Sequence, residues 1–366
     1  MASLGGGALL FVTANFLASA VIAWRAPVQP PCQGELECPA IPLRMVTALR
    51  PRWAPPEFRS PRLNIDHEGF RVDAQRASAF EDYSSRDYNI FVFGGSTMFG
   101  LPADDDNTIA AHLARVLPRQ HNGLPVRVYN LGQPGYRLRD EAYLLIDLLK
   151  QGRRPSLAVF YDGVNEQCFY LRGYGPPDWD LDWGHYIQLN AAIRLANERP
   201  VIVVGNLPLY QLAVRVRERL RAFAGRGEAE RWASGEEFSR VYADSDQCAG
   251  RYVKEATFLM EVARQFGFEP VFILQASGAF LPNATAYPFP RHGTLLARQI
   301  IHYKDLYRRI VEEMHGRGRK VWDMSLVLNA AAGCGESIFS DWQHLSARGN
   351  EIVAAQIAAI LRTEWN

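Results

Sequence analysis

Asn89-Ile90-Phe91-Val92-Phe93-Gly94-Gly95-Ser96-Thr97 decides the architecture. Residues 89–93 are a short, mainly apolar run, which is the pattern of a strand covered on both faces. Two glycines close it and let the backbone bend sharply, so a hydroxyl stands where a strand turns into a helix. The same succession recurs downstream. Asp106-Asn107-Thr108 offers caps for a helix running to about residue 117. Residues 125–131 read as a strand, and 140–150 as a helix with Leu144, Leu145, Leu148 and Leu149 on one face. Strands follow at 157–161, 270–274 and 320–325, with helices at 250–266, 295–315 and 347–362. Strands separated by helices pair in parallel through right-handed crossovers. The expected fold is an α/β class, three-layer α/β/α sandwich around a five-stranded parallel sheet. The alternation lapses between about 167 and 246, which reads as an inserted helical and loop segment within the domain at 88–366.

Outward from this domain the sequence changes character. Residues 26–87 begin with many prolines and little periodicity, and read as an extended N-terminal connector. Residues 1–25 read as a signal peptide or a transmembrane anchor. The stretch 4–24 is uncharged and about as long as a bilayer is thick, and Ala18-Ser19-Ala20 has the small-x-small form of a cleavage site. Export is expected, as a periplasmic, secreted or membrane-anchored protein, with membrane association through residues 4–24. Arg25 after an uncharged start points the other way and keeps a cytoplasm-facing anchor as the alternative. Net charge is +1 over 366 residues, so bulk electrostatics argue neither for a nucleic-acid partner nor for an acidic tail, and no nucleic-acid partner is expected. The five cysteines lack metal-finger spacing; Cys32 and Cys38 could close a small disulfide loop after export, leaving one thiol unpaired.

Three further blocks stand beyond candidate strands: Asn130-Leu131-Gly132, Gly163-Val164-Asn165-Glu166 and Asp341-Trp342-Gln343-His344. In open parallel sheets, ligands bind outside the carboxyl ends of the strands, so the fold would gather these blocks on one rim. Each then has a task in acyl transfer. Ser96 attacks a carbonyl, His344 takes and returns its proton, and Asp341 orients the imidazole. The backbone N–H groups of Ser96 and Gly132 and the side-chain amide of Asn165 would form the oxyanion hole. No metal, nucleotide or flavin is implied.

In block order and content these residues resemble the SGNH hydrolase superfamily, also called GDSL-type esterases. The four letters of that name fall on Ser96, Gly132, Asn165 and His344. The matching motifs are G-G-S-T, N-x-G-x-x-G (Asn130, Gly132, Gly135), G-x-N-E and D-x-x-H. The resemblance implies a flavodoxin-like sheet and chemistry through a serine ester. Gly95 and Glu166 depart from it, since each stands where the family usually has an aspartate. Gly69-Phe70-Arg71 after Asn64 is also similar to a lead-in of membrane-associated bacterial members.

Other features read as structure. Asp104-Asp105-Asp106 reads as an acidic helix start. Asp178, Asp180 and Asp182, interleaved with Trp179 and Trp183, sit in an aromatic loop that either walls a sugar site or anchors itself to the domain. The expected function is a serine esterase cleaving O-acyl esters, in particular O-acetyl, on a small molecule or carbohydrate. An O-acyltransferase of an envelope or extracellular polysaccharide would use the same triad. A catalytically silent binding module of the same fold is the third alternative.

Overall fold

The strands, in chain order, are β1 (Asn64–Ile65), β2 (Arg71–Val72), β3 (Tyr88–Gly94), β4 (Gln120–His121), β5 (Leu124–Asn130), β6 (Leu157–Asp162), β7 (Glu269–Leu274) and β8 (Trp322–Asp323). The helices are α1 (Ser96–Phe99), α2 (Ile109–Val116), α3 (Leu138–Lys150), α4 (Ser245–Phe266), α5 (Ala297–Gly316), α6 (Asn329–Gly333) and α7 (Ala347–Glu364). These come from a computed structural model that describes residues 56–73, 79–166, 245–284 and 297–365. The expectations for residues 1–25 and for nearly all of the insertion at 167–246 lie outside the described residues. No described helix is long and apolar enough to cross a membrane.

Among the described residues the sheet runs β1-β2-β5-β3-β6-β7-β8, with β4 hung on β5. The pairs β5·β3, β3·β6, β6·β7 and β7·β8 are parallel. The parallel core therefore has the doubly wound order 2-1-3-4-5 implied by the resemblance. The crossover from β3 to β5 runs opposite to the later ones, so right-handedness places α2 on one face and α3, α4 and α5 on the other. Contacts agree: α7 packs on α2, while α4 packs on both α3 and α5. With both faces covered, β3 and β6 are buried almost throughout.

Register sets the centre of the core. Phe93 pairs with Phe160, and Phe160 with Phe272, on three neighbouring strands. Their rings stack in sequence at centroid distances of 5.0 Å and 5.3 Å. Stacked pairs of this kind add to the area term that dominates burial.

Three sequence expectations change. The stretch before residue 88 is more than a connector. Arg71 of β2 pairs antiparallel with Asn130 of β5, and Leu63, Ile65, Phe70 and Phe80 are buried. Two-residue strands are too short to show a period, so the proline content dominated the reading. The last strand is β8, two residues long, in place of six, because only Trp322 and Asp323 find partners on β7. Asp341 and His344 do not directly follow a strand either; the short helix α6 intervenes.

Candidate active site

Ser96, Gly132 and Asn165 all follow carboxyl ends of adjacent parallel strands. Gly94 lies opposite Tyr161 across β3·β6, and the ladder continues past β5 as Leu131 N–H donates to Val92 O and Gln133 N–H to Gly94 O, both at 2.9 Å. The order of connections reverses between β3 and β6, which is where such sheets open a crevice. Ser96 is the first residue of α1, so its N–H has no acceptor within the helix.

His344 arrives from a closed loop. Phe339 bridges Leu345, and Ser340 N–H donates to His344 O at 2.9 Å. The loop is tied to the nucleophile turn by Thr97 Oγ1 donating to Gln343 O at 3.3 Å, and to β7's following turn by Gly278 N–H donating to Trp342 O at 2.7 Å. His344 Nε2 lies 2.7 Å from Ser96 Oγ, and His344 Nδ1 lies 2.7 Å from Asp341 Oδ2. The other carboxylate oxygen, Oδ1, accepts the N–H of Gln343 at 2.9 Å and of His344 at 2.8 Å. Burial pushes the Asp341 carboxyl up, but the hydrogen bond and charge of His344 and these two N–H groups outweigh it and hold it below its ordinary value. An ionised Asp341 places the neutral ring's proton on Nδ1 and leaves Nε2 as acceptor for the Ser96 hydroxyl. The structure thus brings Ser96, His344 and Asp341 into one hydrogen-bonded line.

The oxyanion donors are less uniform. Asn165 Nδ2 donates to Tyr136 O at 2.9 Å, which leaves the second N–H of the amide for a ligand. The Gly132 N–H, expected to be available, donates to Asn130 Oδ1 at 3.1 Å. With that bond in place, the Gly132 N–H reaches a ligand by sharing, as a bifurcated donor. The glycine has a packing reason too, since a Cβ there would lie 2.4 Å from Phe99 N at the end of α1. Sequence reading quoted Asn130 as a motif letter without giving it this role. Thr97 was likewise quoted only as a motif letter, and Gln275 and Tyr136 were passed over; the contacts of all three are long-range and leave no local pattern.

Behind Asn165 lies a group that sequence reading also missed. Glu141 of α3, Asp162 of β6, Glu166 and Tyr252 of α4 are all buried. The Glu141 carboxyl oxygens, Asp162 Oδ2 and the Tyr252 hydroxyl meet no ordinary donor or acceptor among the described residues. Two carboxylates cannot bond each other, so the contact between Glu141 and Asp162 is a hydrogen bond when one keeps its proton. Burial, then the neighbouring negative charges, raises Glu141 well above its usual value; burial raises Asp162, Glu166 and Tyr252 too. No described group of His, Cys, Asp and Glu is arranged to hold a metal ion. A cavity of about 310 Å³ lined by Arg264, Phe268, Lys320 and Trp322 lies at the amino ends of the strands, on the rim away from Ser96.

With this geometry the overlaps with solved structures can be placed. They include an acetyl xylan esterase (11% identity, 74% of this chain and 98% of that one, TM-score 0.41). A lipolytic protein of the G-D-S-L family from Veillonella parvula overlaps at 12% identity over 74% and 97% of the two chains, TM-score 0.40. The lipase/acylhydrolase from Enterococcus faecalis overlaps at 13% over 75% and 96%, TM-score 0.37. No protein-family profile and no curated protein matches this chain. The fold class rests on the strand order above.

Proposed function

We propose that the protein is a serine esterase of the SGNH type, cleaving O-acyl esters through an acyl-serine. The observation that carries the reading is the pair of 2.7 Å contacts joining Ser96 Oγ, His344 and Asp341. Ser96 Oγ attacks the ester carbonyl while Nε2 of His344 takes its proton. The Ser96 N–H and the second Asn165 N–H receive the charge that develops on the carbonyl oxygen. His344 then protonates the departing alcohol, and water attacks the acyl-serine by the same route in reverse, releasing the acid.

Cys248 supports a compartment outside the cytoplasm. It is buried and disulfide-bonded, and such bonds persist where the surroundings are oxidising. The aromatic loop, read from sequence as either a sugar wall or an anchor to the domain, lies outside the described residues. The acyl group is therefore proposed only as a class, with acetyl first to be tried.

The test is covalent labelling with a fluorophosphonate, alongside hydrolysis of aryl esters of graded chain length and of acetylated sugars. Labelling of the wild type that vanishes in Ser96→Ala is expected. A folded wild type that takes no label and turns over no ester would leave the binding module as the better reading.

A further inference from the structure

Asn165 and Glu166 are neighbours whose side chains grip the same segment. Asn165 Nδ2 donates to Tyr136 O, and Leu138 N–H donates to Glu166 Oε1, each at 2.9 Å. Tyr136 and Leu138 flank Arg137, the N-cap of α3. The 3₁₀ turn Val164–Glu166 is therefore stitched to the approach of α3 at two points. One such bond would allow the turn to pivot about it; the second removes that freedom and fixes where the remaining Asn165 N–H points. Position 95 bears on the same amide from the other side, because a Cβ there would fall 2.3 Å from Asn165 Nδ2. Gly95 and Glu166 are the two positions at which the sequence leaves the pattern of the family it resembles; the first borders the Asn165 amide, and the second is the next residue along the same turn. The carboxyl of Glu166 sits at the amino end of a 13-residue helix, where an acceptor for an unpaired N–H is favourable.

We propose that Glu166 is a positioning residue: with the room left at Gly95, it holds the Asn165 amide at the oxyanion site. The inference rests on the esterase reading and names what holds one of its donors. A carboxyl that only capped α3 would support the helix and leave turnover per folded molecule unchanged.

The experiment measures kcat and KM for an aryl acetate, per active site titrated with fluorophosphonate, in Glu166→Asp, Glu166→Gln, Asn165→Ala and the double variant Glu166→Asp with Asn165→Ala. Aspartate is one methylene shorter and withdraws the acceptor from Leu138 N–H. It should lower kcat by about a hundredfold, the scale of a misplacement near 1 Å, with KM within about twofold. Glutamine keeps a carbonyl oxygen in place and should restore kcat to within about threefold of wild type. With the amide gone in Asn165→Ala, Glu166→Asp should change kcat by less than about twofold, since effects that act through one group do not add. Equal losses in both backgrounds, or a glutamine variant as impaired as the aspartate one, would overturn the proposal. Should Glu166→Asp not fold, Glu166→Ala with and without Asn165→Ala takes its place, and equal losses in the two backgrounds overturn the proposal in the same way. A wild type without Ser96-dependent labelling would sink the esterase reading itself, an outcome distinct from either.

Discussion

Asp341 carries two jobs on separate oxygens, and substitution can part them. In Asp341→Asn the amide oxygen can still accept the N–H groups of Gln343 and His344, so the loop should keep its shape. The amide nitrogen would then face His344 Nδ1 and donate to it, driving the ring proton to Nε2, which can no longer accept from Ser96. We expect a native circular-dichroism spectrum and a fall in kcat of about ten-thousandfold, the scale of a wrong histidine tautomer. Retention of most activity would show that the imidazole is oriented by another group. Gly95→Ala tests the neighbouring hole. Its backbone is extended, so the methyl strains no dihedral, yet it must displace the Asn165 amide. Loss of one oxyanion donor lowers kcat by about a hundredfold or more, and the same loss is expected here. Ser96, His344, Asp341 and Asn165 were all legible in the sequence, because each sits in a short motif. The hydrogen bond that occupies Gly132 N–H was not, since it depends on the rotamer of Asn130.

Among elements, the short hairpin of β1 and β2 was the least legible and has an evident structural role. Arg71 is buried, and its five N–H groups reach five contacts: Asp105 Oδ1 at 2.8 Å, Phe99 O at 3.1 Å, Gly100 O at 2.9 Å, Arg62 O at 3.2 Å and Ala103 O at 2.6 Å. Asp105, read from sequence as part of an acidic helix start, is the buried counter-charge; its other oxygen accepts from Asn64 Nδ2 at 2.7 Å. Thus Asn64 and Gly69-Phe70-Arg71, recognisable only as a lead-in, fasten the end of α1 to the sheet. Phe99 closes the arrangement by packing on Leu63 and Ile65. Arg71→Met removes one partner of a buried pair and strips four carbonyls of donors. The expected loss of unfolding free energy is about 3–5 kcal/mol, read from urea denaturation. Arg71→Lys keeps the charge but not the fork, and should recover only part of that. Equal stability of Arg71→Lys and wild type would mean that charge alone holds the segment. The parallel core, by contrast, was readable because apolar runs and amphipathic helices of six or more residues carry their period in the sequence.

At the scale of the molecule, the buried acids set how stability follows pH. Glu141, Asp162 and Glu166 have folded pKa values raised by burial above their unfolded values. The folded protein therefore binds more protons than the unfolded chain once pH exceeds the ordinary carboxyl range, near 4. In that window stability falls as pH rises, and it levels off only above the raised folded values. Asp341 acts in the opposite sense: its lowered pKa contributes stability above the ordinary carboxyl range, lost as pH falls through the folded value. Burial raises Asp66, Asp105 and Glu269 as well, so carboxyls of this sense outnumber Asp341 and Glu351, and urea midpoints should decline from mildly acidic towards alkaline pH. Glu141→Gln isolates the cause. Its amide can donate to Asp162 as the protonated acid does, but it has no proton to lose. Midpoints of this variant should decline less steeply with pH than those of the wild type, and the two should converge at the acid end. Parallel curves would mean that Glu141 titrates alike in folded and unfolded chains, and hence that water reaches it behind the Asn165 turn.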